Sequence, residues 1–528
     1  MSRLLDDRYA LSRRRLFALT GAAVGAATLS RESAHAQVGW SAYPFQLGVA
    51  AGDPGPDGFV IWTRLAPDPL NIDGYGAPRQ NVTVGWEVAS DEGFRTVVQK
   101  GEAVARPELG HAVHVEVSGL EPARPYWYRF SSGRERSLTG RAVTTPLAGA
   151  DPERVRFGIV GCQHYEQGYY TAYRRLAEEP LDFVYCYGDY IYEGRGARVW
   201  NGPTGPRQNV RQHVGGETYS LDDYRRRHAQ YKMDADLQAA HAAHAWFVTW
   251  DDHEIDNNWV ADADQDGTPP EVFALRRQVA VQAYYEHMPL RARSFPTGTS
   301  LQLYRRADYG RLLRANFLDT RQYRSDQACG DRWNVVCDQL EREATVLGER
   351  QEAWLAEGLA RSPARWNALA QQVMVMDLDR NPDEPYTVNL DSWGGYRKPR
   401  ERLLRAMQAG QARNAVVLTG DEHQHYAGEL HLDGRRPGPK PIGVEFVATS
   451  ISSGGDGQDQ RPDMVRIQAA NPQLKFNNSQ RGYVVCDVSA ERWRTDFKVL
   501  DKVTERDGTL STRASFAVEA GEARLQPA

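Results

Sequence analysis

Hydrophobic positions along the chain follow two patterns that change over near residue 148. From Pro44 to Pro146 they form short runs: Phe59-Val60-Ile61-Trp62, Val82-Thr83-Val84-Gly85-Trp86-Glu87-Val88, His114-Val115-Glu116-Val117 and Tyr126-Trp127-Tyr128-Arg129-Phe130. Pro, Gly and Asp clusters separate the runs. Period-two alternation between turn residues predicts an antiparallel β-sandwich over residues 37–148. No run in this region carries a cluster suited to catalysis.

Beyond Thr144-Thr145-Pro146 the apolar runs become continuous, as expected of strands buried on both faces. Val155-Arg156-Phe157-Gly158-Ile159-Val160 leads into Gly161-Cys162. Tyr173, Leu176 and Ala177 then recur at helical spacing, and Asp182-Phe183-Val184-Tyr185-Cys186-Tyr187 reads as a second strand, completing a βαβ unit. Two further buried strands are predicted at Ala245–Trp250 and Ala415–Thr419, with helices at 221–243, 347–360 and 399–409. A Gly-, Asn- and Arg-rich loop occupies 194–216, and no internal repeat is present. The α/β region therefore runs from 149 to 528.

Composition narrows the class. With 528 residues, 41% of them hydrophobic, the chain has material for a large packed core. Its 64 basic and 69 acidic side chains leave a formal charge of −5, which gives no global reason for a stable nucleic-acid partner or an anionic membrane surface. The five cysteines are too scattered for a disulfide scaffold. Cys329 and Cys337 are the only close pair, and export would let them close a small loop.

Residues 1–36 suggest that export. Ser12-Arg13-Arg14-Arg15-Leu16-Phe17, a short Ala- and Gly-rich stretch to Leu29, and Ala34-His35-Ala36 read as a twin-arginine signal peptide cleaved before Gln37. The apolar stretch is shorter than the roughly twenty residues of a membrane span, so no transmembrane anchor is expected. The implied partner is the Tat export machinery, and the implied location is periplasmic or secreted.

Each of the four buried strands ends in a polar cluster: Gly161-Cys162-Gln163, Gly188-Asp189-Tyr190-Ile191-Tyr192-Glu193, Asp251-Asp252-His253-Glu254 continuing to Asn258, and Gly420-Asp421-Glu422-His423. Ligands collect outside the carboxyl ends of parallel strands, so four such ends in one sheet would bring these groups to one crevice. Singly, each has an ordinary explanation, since a lone buried Cys is usually a small hydrophobe and a Tyr usually a core aromatic. The set points to metal-assisted hydrolysis of phosphate esters, which requires charge neutralised on the ester, a water activated and a leaving oxygen stabilised. Asp189 could bridge two ions, with Asp252, Asp421 and His423 adding ligands. A deprotonated Cys162 or Tyr192 requires a strong Lewis acid, for which ferric iron fits better than magnesium. His241 and His244 read as packing or surface residues, the arginines at 225–227 and 321–324 as solvated or ion-paired, and Gly454-Gly455 as a turn.

The order Gly-Asp, Asp-His-Glu, Gly-Asp-x-His is similar to that of the calcineurin-like metallophosphatases, with Cys162 in place of their Asp-x-His and Trp250-Asp251-Asp252-His253-Glu254 in place of Gly-Asn-His-Glu. Both departures resemble the PhoD family of alkaline phosphatases and phosphodiesterases. So do Gly48-Val49-Ala50-Ala51-Gly52-Asp53-Pro54, Trp62-Thr63-Arg64 and Asp319-Thr320-Arg321-Gln322-Tyr323-Arg324. Leu120-Glu121-Pro122 before Tyr126 and Tyr128 resembles the start of the tyrosine-bearing strand of fibronectin III or immunoglobulin-like domains.

The resemblance implies an αββα metallophosphatase sandwich preceded by an immunoglobulin- or fibronectin III-like β-sandwich. It implies Fe3+ held by Cys162, Asp189, Tyr192 and His423, with Ca2+ sharing Asp189, Asp252 and Asp421. His253 would contact phosphate or protonate the leaving group, beside Asp252, and Asn257 and Asn258 are weaker calcium candidates. The expected activity is that of an alkaline phosphatase with possible phosphodiesterase action. A dedicated diesterase acting on teichoic acid, lipid or nucleotide diesters, and a non-catalytic exported binding protein, are the alternatives.

Overall fold

Strands that are apolar on both faces must be covered on both sides, and the layering of the chain follows from that requirement. The computed structural model describes residues 39–528 except 203–204, 333–335, 384, 410–413, 435–436 and 439. The segment read as a signal peptide lies outside the described residues.

A ten-stranded sheet has a parallel centre formed by Val155–Val160, Phe183–Cys186, Ala245–Val248 and Val49–Gly55. A seven-stranded sheet has its own parallel centre of Leu313–Phe317, Trp366–Ala370, Ala415–Thr419 and Gly443–Val447. The Ala415–Thr419 strand therefore does not share a sheet with the other three cluster-bearing strands, which corrects the single-sheet expectation. The clusters still meet because the sheets pack face to face. Phe157, Tyr185 and Phe247 from one interlock with Phe317, Leu418 and Phe446 from the other, and the Phe247 and Phe317 rings stack at 4.3 Å.

The outer faces are covered by helices. Val184, Cys186, Trp246 and Val248 pack under Tyr173, Leu176, Leu237 and Tyr284. On the far side Leu369, Val417 and Val447 pack under Leu355, Leu359, Leu403 and Leu404. The helix expected over 221–243 is two helices, Leu221–Lys232 and Ala235–Ala243. Asp234 interrupts it: its side chain accepts the backbone N–H groups of Asp236 and Leu237 and so caps a new helix. Among the described residues no helix is long and apolar enough to cross a membrane.

Three of the early strands, Val49–Gly55, Gly58–Arg64 and Ala112–Val117, join the ten-stranded sheet through the parallel pairs Ala51 with Ala245 and Gly52 with Trp246. Val82–Ala89, Val97–Ala105, Pro125–Ser132, Glu135–Arg136 and Gly140–Val143 form a separate five-stranded sheet. Phe59 packs between the two against Tyr126 and Tyr128. Residues 40–528 form one compact unit. Cys329 and Cys337 are joined by a disulfide.

Candidate active site

The strand-end clusters come together at the carboxyl edges of the two sheets. Ligand-type atoms of Cys162, Asp189 and His423 lie within 4.8 Å of one another, as do those of Asp189, Asp252 and His253, and those of Asp251, Asp252 and Asp421. Asp189 belongs to the first two groups and Asp252 to the last two, so the three groups form one continuous cluster.

The turns that present these side chains are strained. Cys162, Asp189, Asp421 and His423 have φ of 49°, 54°, 64° and 54°, left-handed values that cost a non-glycine residue about 1–3 kcal/mol. Gly188 has φ of 132°, and a Cβ there would lie 2.2 Å from the Asp251 nitrogen, so only glycine lets these two strand ends approach. Glu254 holds the turns in place by accepting N–H bonds from Asp189 at 3.1 Å, Tyr190 at 2.6 Å and Asp251 at 2.9 Å.

Within the cluster the Cys162 Sγ lies 3.3 Å from Asp189 Oδ2, to which the Tyr192 hydroxyl donates at 2.7 Å. That hydroxyl is also 3.3 Å from His423 Nε2 and accepts from Ser453 Oγ at 2.7 Å. The other Asp189 oxygen faces the His253 backbone N–H at 3.4 Å. Asp252 Oδ2 accepts the Asn258 N–H at 2.8 Å, while its Oδ1 is buried with no hydrogen-bond partner.

Electrostatics make the cluster suited to cations. Burial, reinforced by Asp252, pushes the Asp189 carboxyl well above its usual range. Burial with Asp251 and Asp252 does the same at Asp421. The Cys162 thiol and Tyr192 phenol are likewise pushed up by burial and by Asp189. At Asp252 burial favours the neutral acid, but Arg321 and His253 outweigh it and hold the carboxyl low. Burial and Arg481 lower the His423 imidazole to about 3, leaving it neutral and able to donate a lone pair. Several acidic groups thus share a dry site in which they cannot all ionise together. A bound cation removes that conflict, so the donor set fits metal ions.

Two sequence profiles cover most of the chain, one described as PhoD-like phosphatase over residues 157–497 and one as the PhoD-like phosphatase N-terminal domain over residues 31–146. The chain belongs to the PhoD-like phosphatase family. It is 48% identical to alkaline phosphatase D of Bacillus subtilis (strain 168) over 488 residues, which cover 92% of this chain and 83% of that protein. A solved structure described as "Structure of PhoD" superposes with a TM-score of 0.90 at 47% identity, covering 93% of each chain. The chain is a phosphatase, a hydrolase of phosphate esters, and the reading as a non-catalytic binding protein falls away.

Several groups in this phosphatase carry more than their sequence context suggested. Arg321 belongs to no solvated face: it is fully buried and donates to Asp251 at 2.6 Å and to both oxygens of Asp391 at 2.9 and 2.7 Å. The Gly454-Gly455 turn borders the site, because Ser453 next to it binds both the Tyr192 hydroxyl and the Cys162 carbonyl. His241 and His244 are buried packing residues, bonded to the Tyr190 hydroxyl and the Leu176 carbonyl.

Glu193 is the last residue of the Gly-Asp-Tyr-Ile-Tyr-Glu run, and nothing in its local sequence marks it as part of the site. It lies 2.7 Å from His253 Nδ1 and accepts the Asn257 N–H at 3.0 Å. Burial disfavours a charged His253, but Glu193, Asp252 and Asp189 outweigh burial and hold its pKa well above the ordinary value. Glu193→Gln removes the first of these charges, so the imidazolium should lose its proton at lower pH. The alkaline limb of kcat/KM is expected to move to lower pH, with activity on the acid side reduced less than about tenfold. An unmoved alkaline limb would show that His253 does not set it.

Proposed function

We propose that phosphate esters are hydrolysed at this cluster. Cys162, Asp189, Tyr192 and His423 would hold a ferric ion, and Asp189, Asp252 and Asp421 would hold calcium. The observation that carries the reading is the position of Asp189 in two donor groups at once, one with the Cys162 sulfur and the His423 imidazole and the other with the Asp252 carboxylate and the His253 imidazole. Sulfur and phenol donors with raised pKa suit a small, highly charged ion, and the carboxylate side suits a hard cation that takes only oxygen. When bound, the ions supply the positive charge that polarises the ester and acidifies a water.

The remaining chemistry belongs to the chain. Glu193 fixes Nδ1 of His253 and leaves Nε2 to hold a proton for the departing alcohol oxygen. The His253 and Tyr192 rings lie 4.1 Å apart, so the imidazole sits against the same donor cluster. Asp252 keeps one oxygen on the Asn258 N–H and the other 3.7 Å from the Arg321 guanidinium. Ser453 and Glu254 keep Tyr192 and the strand-end turns from relaxing.

The layers of helix, sheet, sheet and helix support an αββα metallophosphatase sandwich. Ahead of it, the Tyr126 hydroxyl accepts the Glu121 N–H at 3.0 Å, the contact made by the corner tyrosine of immunoglobulin-like sandwiches, which supports that reading of the early strands. The name of the Bacillus relative supports monoesters as substrates, with diesters as a second class. The Ser12–Phe17 run and Ala34-His35-Ala36 support Tat export, and the Cys329–Cys337 disulfide supports an oxidising destination.

Chelation tests the proposal. Dialysis against calcium and iron chelators should abolish hydrolysis while the far-ultraviolet circular dichroism stays native, and adding both ions should restore activity. Because burial pushes the pKa of Asp189, Asp421, Cys162 and Tyr192 up, protons compete with a cation for these donors, and apparent affinity should fall as pH falls. Full activity in the chelated protein would remove metals from the account.

A further inference from the structure

Cys329, Gly330 and Asp331 have φ of 58°, 65° and 51°. Three successive left-handed residues, two of them with a Cβ, do not persist in a chain of L-amino acids unless other contacts hold them. The first is held by the disulfide to Cys337, with its N–H donated to Gln339 Oε1 at 2.8 Å. The third is held by a contact with the active-site region, since Asp331 Oδ2 accepts from Asn258 Nδ2 at 2.5 Å.

Asn258 is itself left-handed, with φ of 50°. Its carbonyl accepts from Gln327 Nε2 at 2.9 Å, and that amide also donates to Asp391 Oδ1 at 2.7 Å. The Asn258 N–H in turn donates to Asp252 Oδ2 at 2.8 Å. An unbroken series of contacts therefore leads from the cross-link to Asp252, whose second oxygen is buried, makes no hydrogen bond and lies 3.7 Å from the Arg321 guanidinium.

We propose that Asp331 is a positioning residue for Asp252, acting through Asn258, and that the Cys329–Cys337 cross-link keeps it in place. The inference rests on the reading of Asp252 as a calcium donor. The Asp331 carboxylate fixes the Asn258 side chain and so the direction of the Asn258 N–H. That N–H engages Oδ2 of Asp252 while the Arg321 guanidinium faces Oδ1 at 3.7 Å, so the carboxylate is fixed from both sides. Without Asp331, Asn258 is free to leave its left-handed conformation, and Asp252 loses the bond that sets its rotamer.

Calcium titration of the full-length enzyme, freed of calcium by dialysis and followed by isothermal calorimetry, tests this directly with CaCl2 as the probe. Asp331→Ala should bind calcium about tenfold more weakly or worse, the scale seen when a partner of a metal ligand is removed. Asp331→Asn keeps an acceptor oxygen toward Asn258 and should recover most of that loss. Replacing Cys329 and Cys337 together by Ser should weaken binding in the same direction.

A purely structural role would lower the melting temperature, leave calcium affinity alone and give no rescue by Asn. Affinity of Asp331→Ala within about twofold of wild type overturns the positioning role, and wild-type affinity in the double cysteine variant removes the cross-link from it. Asp252→Ala separates the two levels. If it too binds calcium normally, the donor reading fails; if it loses calcium while Asp331→Ala does not, only the positioning role fails.

Discussion

Asp189→Asn is expected to lower kcat by about a thousandfold or more, equivalent to roughly 4 kcal/mol of lost transition-state stabilisation. The substitution preserves volume and one acceptor oxygen, so one of the two bonds accepted by Asp189, from the Tyr192 hydroxyl or from the His253 N–H, can persist. What it removes is the charge shared by two donor groups. The fold should survive, because burial already disfavours the charged form of Asp189 and the amide adds no charge to the cluster. A kcat within about tenfold of wild type, with a normal melting temperature, would sink the assignment.

His253→Ala should cost about a hundredfold to ten-thousandfold on an alkyl phosphate and far less on a nitrophenyl phosphate. The difference follows from the role assigned to the ring. An alkoxide leaves poorly without a proton, whereas a nitrophenolate leaves readily as the anion. The position of Nδ1 on Glu193 and the raised pKa together keep a proton available at Nε2. Equal losses on the two substrates would mean that His253 binds the phosphoryl group in both ground and transition states and transfers no proton.

The four cluster-bearing strands were legible because each is a run of buried apolar residues stopped by a carboxylate or cysteine, preceded by Gly in three of them and by Trp250 in the fourth. Their division between two sheets was not. The strands flanking Ala415–Thr419 carry buried polar residues that break the apolar pattern: Asn316, Asn367 and Glu445 are each fully buried. Their partners come from distant segments, since Asn316 Nδ2 donates to the Ala368 carbonyl and Glu445 accepts from Val375, Met376 and Thr419. Pairings of that kind leave no periodicity in the local sequence.

The same limit applies to the site. Cys162, Asp189, Tyr192, Asp252, His253, Asp421 and His423 stand at strand ends and were found there. Ser453, Asp391 and Asp331 act from turns and loops, and Glu193 is recognisable only once His253 is seen across from it. Arg321 lies in an arginine-rich run that reads as solvated or ion-paired; it is ion-paired, and its carboxylate partners come from the distant residues 251, 252 and 391.

The most direct test of the metal-cluster account is a visible absorption spectrum with metal analysis of the enzyme as purified, alongside Tyr192→Phe. A ferric ion bound to the Tyr192 phenolate gives a charge-transfer band, so the wild type should be coloured and contain iron and calcium, and Tyr192→Phe should lose the band. Zinc or manganese with no visible band, or a band that survives Tyr192→Phe, would contradict the proposed ligand set.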